Sequence, residues 1–136
     1  MLDKVALAQT PAKARLFSVV PSLDTPVCSQ QTKKFDESLG SYKDKLACYT
    51  VSLDLPFAQK RWCGAFGVDN VKMLSDHKDS SFGASWGTLI KELRIESRAI
   101  FVLDKDNTIK HVEYVKEVAD HPNYDKALEA LKAAAG

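Results

Sequence analysis

Apolar residues in this chain fall into short unbroken runs separated by polar, turn-forming stretches, with helical stripes between them. Residues 16–20, LFSVV, are rich in β-formers and end at Pro21, which predicts a buried strand. Residues 21–26, PSLDTP, carry turn chemistry, and a helix is expected from Val27 through FDESL to Gly40, a suitable glycine beyond a helix end. Residues 45–53, KLACYTVSL, read as a second buried strand. Asp54, followed by Leu55 and Pro56, predicts a second helix with Asp54 as N-cap and proline in its first turn. That helix carries Phe57, Ala58, Trp62, Cys63 and Phe66 before Gly67 stops it. Residues 71–74 suggest a short strand, and residues 79–93 a short helix and loop. RAIFVLD (98–104) and TIKHVEYV (108–115) flank the polar turn Lys105-Asp106-Asn107, the pattern of a β-hairpin. Tyr124, Ala127, Leu128, Leu131 and Ala135 then form the stripe of a last helix over residues 122–135.

The predicted order, β-α-β-α-(β)-β-β-α, pairs the first two strands in parallel through a right-handed crossover and closes with an antiparallel hairpin. A mixed sheet with helices on both faces satisfies it, which is the three-layer α/β arrangement of thioredoxin-like folds. With 136 residues, 45% hydrophobic and 27% charged, and no repeat or internal linker, residues 1–136 read as one globular domain. Nineteen Lys and Arg against eighteen Asp and Glu leave a formal charge of +1, so charge makes no case for nucleic acid or an anionic membrane. No apolar run approaches the ~18 residues of a spanning helix. The first residues, MLDKVALAQTPAKAR, lack the pattern of a signal peptide, so the cytoplasm is the expected location.

Cys28, Cys48 and Cys63 include no C-x-x-C pair, and His77, His111 and His121 are scattered; neither a disulfide scaffold nor a metal site is expected. The cysteines are expected as free thiols. Thr25 stands at the helix N-cap, Pro26 at its first position and Cys28 at its third. A sulfur there faces unpaired backbone N–H groups at the positive end of the helix, which favours thiolate over thiol. Position alone also allows a small buried residue in a first helical turn. Cys48, mid-strand between Leu46 and Thr50, reads as core filler. Asp104-Lys105-Asp106 lacks the glycine and glutamate of a calcium loop and reads as a hairpin turn.

The spacing P-x-x-x-T-x-x-C, from Pro21 to Cys28, resembles the active-site signature of peroxiredoxins. FSVVPSLDTPVCSQQTKKFDE, SLDLPFAQKRWCGAFGVDNV, LSDHKDSSFG, RAIFVLD, VEYVKEV and PNYDKALEAL extend the likeness over residues 16–131 to the thiol peroxidase subfamily, the atypical 2-Cys peroxiredoxins. The resemblance implies a thiol-dependent peroxidase that reduces hydrogen peroxide and organic hydroperoxides without metal, haem or flavin. It assigns Cys28 as the peroxidatic cysteine, oxidised to sulfenic acid. Thr25 would set its hydroxyl against Cys28 and the peroxide, Pro21 would shield the sulfur, and Arg98 would lay its guanidinium on thiolate and substrate. It assigns Cys63 as the resolving cysteine, closing an intrachain disulfide that thioredoxin reduces. Two cysteines on separate helices must then meet by local unfolding, which Gly64 and Gly67 would ease. Val27, Phe57 and Trp62 would line an apolar substrate pocket. The resemblance also implies a homodimer, and a hairpin, strand and loop ahead of this stretch in relatives, whose absence would leave a sheet edge less protected. The rivals are a thiol–disulfide oxidoreductase on the same fold, and a redox sensor or binding module in which Cys28 oxidises without turning over.

Overall fold

A computed structural model describes residues 3–42 and 44–136. Its elements are β1 (Ala14–Val19), α1 (Pro26–Leu39), β2 (Leu46–Ser52), α2 (Pro56–Phe66), β3 (Val71–Ser75), α3 (Ser81–Trp86), β4 (Leu89–Ile90), β5 (Ile95–Glu96), β6 (Ala99–Leu103), β7 (Ile109–Tyr114) and α4 (Tyr124–Ala135). Five strands form one sheet in the order β3-β2-β1-β6-β7, and β4 and β5 form a separate two-stranded pair. β1 lies at the centre, buried at all six positions, as a mostly apolar run favours. It pairs in parallel with β2, Leu16 opposite Cys48, and antiparallel with β6, Phe17 opposite Phe101. This is the thioredoxin-like mixed sheet that the element order implied.

Alternation along the strands sorts the core into two layers. On one face Leu16, Cys48, Ile100 and Val102 pack with Phe35 and Leu39 of α1, Trp62 of α2, and Ala127 and Leu131 of α4. On the other, Phe17, Tyr49 and Phe101 meet Phe82 and Trp86 of α3. Phe17 stacks on Tyr49 at 5.3 Å between ring centroids, and Trp86 meets Phe101 edge-on at 4.9 Å. Such pairs stabilise beyond the area they bury.

The helix ends show where local rules were overruled. Gly67 takes the left-handed conformation expected of a terminating glycine, φ 65°, and its N–H returns to the Cys63 carbonyl. Gly40 instead stays right-handed, φ −55°, and α1 runs on into a 3-10 turn over Gly40–Tyr42. The N-cap of α2 is Leu55 with no side-chain bond, not Asp54. The Asp54 carboxylate is drawn away to Ser22 Oγ at 2.7 Å and the Leu23 N–H at 2.9 Å, across 32 and 31 residues of sequence. Tertiary donors outcompete the local cap.

Candidate active site

α1 delivers Cys28 as expected: Thr25 is its backbone N-cap, Pro26 opens the helix, and Cys28 follows at the third position. The sulfur is fully buried, 0% exposed. Arg98, just ahead of β6 and 2% exposed, reaches it from across the sheet, with Nη2 3.3 Å from Cys28 Sγ. The same guanidinium donates from Nη1 to Gln31 Oε1 at 2.9 Å, and from Nη2 and Nε to the Val118 carbonyl at 2.7 and 3.1 Å. Gln31 is itself held, donating to Ser18 Oγ at 2.6 Å.

A buried cation is costly unless paired and hydrogen-bonded. The ion pairs among the described residues, Lys4–Asp79 and Lys110–Asp104, do not involve Arg98. Its acceptors are neutral oxygens and one sulfur, so a thiolate on Cys28 is the group that would balance its charge. The arrangement can therefore hold an ionised sulfur in a dry site and present donors to charge that develops beside it.

Thr25 departs from the expected geometry. Its hydroxyl donates to the Ser22 carbonyl at 2.8 Å, makes no side-chain cap, and the residue is exposed. Donating to the Ser22 carbonyl orients the Thr25 hydroxyl back into the turn, where its oxygen accepts from no helix amide. Pro21 is buried two residues beyond the end of β1, in the turn that leads to Cys28.

Cys63, in the last turn of α2, is half-buried and packs against the cluster that contains Cys28, Cys48 and Trp62. All three cysteines are unpaired. Burial pushes the Cys63 thiol up, with Asp36 and Asp69 adding to it. Cys48 is pushed up by burial, then by Asp36, which keeps it a neutral thiol in the core. Cys63 also lines a groove of about 1150 Å³, with Leu55, Phe57 and Met73; Cys28 does not. Of the expected apolar lining, Trp62 shares the Cys28 cluster, whereas Phe57 is 57% exposed in the groove on the Cys63 side.

Sequence reasoning missed Gln31, Tyr124 and Asp54. Gln31 had a signal: it lies at i+3 from Cys28, on the face shared with Thr32, Phe35 and Leu39, an amide on an otherwise inward stripe. Tyr124 packs edge-on against Phe35 at 5.5 Å. Burial pushes its hydroxyl up, while Arg98 pulls it down and Cys28 pushes it up. The three histidines stand outside this site: His77 and His121 are exposed, and His121 Nδ1 pairs with the Tyr124 hydroxyl at 2.6 Å. Among the described residues no three of His, Cys, Asp and Glu gather as a metal-ligand set, and no helix is long and apolar enough to cross a membrane.

The Redoxin family model matches residues 1–128. The thiol peroxidase of Bacillus subtilis is 50% identical over 132 residues, covering 97% of this chain and 78% of that protein. The thiol peroxidase of Streptococcus pneumoniae is 52% identical over 132 residues, 97% of this chain and 80% of its own length. Among solved structures, a peroxiredoxin-like protein from Aquifex aeolicus superposes with a TM-score of 0.84 at 37% identity, over 90% of this chain and 72% of that one. A thiol peroxidase from Chromobacterium violaceum superposes with a TM-score of 0.83 over 95% of this chain and 76% of that one; at 21% identity it speaks to the fold. Cysteine at a helix start under a buried arginine, on this sheet and with these relatives, places the chain in the thiol peroxidase subfamily of the peroxiredoxins, a family of thiol-dependent peroxidases.

Proposed function

We propose that Cys28 is the peroxidatic cysteine and Cys63 the resolving one, within a single domain spanning residues 1–136. The Cys28 thiolate attacks one oxygen of ROOH; the O–O bond breaks, a proton reaches the departing oxygen, and Cys28–SOH and ROH result. The Cys63 thiol then displaces water from the sulfenic sulfur to form the intrachain disulfide. A thioredoxin dithiol reduces that disulfide and is itself oxidised. Arg98 is the electrostatic partner of sulfur and peroxide, Gln31 fixes its fork, and Pro21 keeps the turn dry. Thr25 completes the pocket if its hydroxyl leaves the Ser22 carbonyl for the peroxide.

The observation that supports this reading best is the bond from Arg98 Nη2 to Cys28 Sγ in a site with no carboxylate on that arginine. Intact mass after one equivalent of peroxide is the test. A loss of two hydrogens, together with catalytic peroxide consumption in the presence of thioredoxin, thioredoxin reductase and NADPH, is expected for the unaltered protein. Stoichiometric consumption would favour a redox sensor, and reaction with protein disulfides but not peroxide a thiol–disulfide oxidoreductase. Cys63→Ser should leave a sulfenic acid that dimedone labels, and coupled turnover should collapse. The proposal includes a cytoplasmic, reducing setting, consistent with three free thiols, and a homodimer, which light scattering would test.

A further inference from the structure

Asp54 lies where the loops after β1, β2 and β3 converge, at the carboxyl ends of three parallel strands. Its carboxylate accepts from Ser22 Oγ at 2.7 Å and the Leu23 N–H at 2.9 Å, both in the turn that leads to Cys28. It also accepts from Ser52 Oγ at 2.7 Å, at the end of β2. Ser52 Oγ in turn accepts from Gln59 Nε2 at 3.2 Å, and Gln59 donates to the Leu74 carbonyl at 3.0 Å. Gln59 is buried in α2, one turn ahead of Cys63 on the same face. The Asp54 carbonyl accepts from Ser75 Oγ at 2.5 Å, which fixes the backbone that carries the carboxylate.

One side chain therefore joins the entry of the Cys28 helix to the entry of the Cys63 helix. We propose that Asp54 is a positioning residue: a latch that holds both segments in their folded, peroxide-ready form and so limits how often they open for disulfide formation. This rests on the roles of Cys28 and Cys63 proposed above. The two half-reactions ask opposite things of the same segments. Peroxide attack needs Cys28 folded against Arg98, whereas resolution needs at least one of the two helix turns to open. While the closed form dominates, weakening the latch scarcely changes its population but raises the minor open form in proportion. Resolution should then accelerate while the peroxide step changes far less. Sulfenic acid that resolves sooner is less exposed to a second peroxide, so Cys28 over-oxidation should fall.

Asp54→Asn keeps the size but leaves one acceptor oxygen and loses the charge. Ser22→Ala removes the 2.7 Å bond to Asp54, together with the 3.2 Å bond that Ser22 Oγ accepts from the Asp24 N–H inside the same turn, and leaves the α2 side intact. Rapid-quench measurement should show disulfide formation from Cys28–SOH about tenfold faster in Asp54→Asn, the worth of one hydrogen bond to a charged group. Ser22→Ala should move the same way by less, and decides the matter alone if Asp54→Asn does not fold. At fixed excess peroxide, sulfinic acid on Cys28 per turnover should fall in step. A role in stability alone would slow both half-reactions together and speed neither. Resolution that is unchanged or slower in the folded variants, or an undiminished sulfinic fraction, overturns the latch. If the unaltered protein forms no Cys28–Cys63 disulfide with one equivalent of peroxide, the peroxidase reading falls first; if it does and the variants match it, the latch alone falls.

Discussion

Two arginines are buried at opposite ends of the β1–β6 pair, and they are used differently. Arg15, 1% exposed at the start of β1, donates to the Lys13 carbonyl at 2.9 Å, Thr10 Oγ1 at 2.9 Å and the Asp104 carbonyl at 2.5 Å. Arg98, 2% exposed ahead of β6, turns all three of its nitrogens to neutral oxygens in the same manner but directs Nη2 to a sulfur as well. Burial and a planar fork of donors are common to both. What separates a structural arginine from a chemical one is whether an acceptor on its fork can change charge. A helix start brings such an acceptor to Arg98; among the described residues, the groups that accept hydrogen bonds from Arg15 are two backbone carbonyls and a hydroxyl.

Replacing Arg98 with lysine should break the comparison most severely. An ammonium on a flexible stem cannot hold sulfur, Gln31 and the Val118 carbonyl together. The peroxide step should slow by roughly one to three orders of magnitude, the range seen when a preorganised donor is lost. Stopped-flow reaction with hydrogen peroxide at the unaltered rate would make Arg98 structural, like Arg15. Arg15→Lys should give the converse result. It should lower stability by about 1–3 kcal/mol in urea unfolding through the acceptors it strands, while the peroxide step of the folded protein keeps its rate.

This contrast also marks what the sequence made legible. β1, β2, the hairpin and α4 stood out because their patterns are local, and the burial of LFSVV in the sheet centre followed from a run in which Ser18 is the one polar residue. Cys28 was legible from the cap and proline before it. Arg98 was not, since a charged residue at a strand start looks the same whether its guanidinium turns to water or inward; only the resemblance carried by RAIFVLD singled it out. Asp54 was misread for the opposite reason. Its local context is that of a helix cap, and nothing nearby in sequence announces donors at Ser22 and Leu23. Long-range polar partners leave no period in the chain.

A smaller effect sharpens the same lesson for sulfur. Cys48 is buried like Cys28 and belongs to the same cluster, but among the described residues no guanidinium hydrogen-bonds to its sulfur. Cys48→Ala should cost about 1–2 kcal/mol of stability through the space it leaves and should not alter peroxide consumption per folded molecule. A folded but inactive Cys48→Ala protein would mean that the roles of the cysteines have been exchanged.

The last contrast concerns an acid buried two residues before Arg98, whose effect reads out in pH and not in peroxide turnover. Glu96 is 0% exposed, and Oε2 accepts from Thr88 Oγ1 at 2.5 Å, while Oε1 finds no donor. Asp76 lies beside it, its own oxygens taken by the Phe82 and Gly83 N–H groups at 3.0 and 2.8 Å. Burial, with the neighbouring Asp76 adding to it, raises Glu96 from an ordinary 4.5 to about 8. Where Arg98 can be balanced by a thiolate, Glu96 has no cation and resolves its burial by staying neutral. The folded protein thus holds a proton that the unfolded chain releases. Stability from this protonation of Glu96 is fully present below about 4.5, declines as pH rises, and levels off beyond about 8. The slope should reach about 1.4 kcal/mol per pH unit for one proton. Glu96→Gln keeps a donor for Asp76 and an acceptor for Thr88 but cannot titrate. Urea midpoints measured from mildly acidic to mildly alkaline pH should therefore flatten in Glu96→Gln, with the variant gaining on the unaltered protein as pH rises. Parallel curves for the two proteins would show that Glu96 does not carry the proton, and that the burial of this acid is compensated by something other than neutrality.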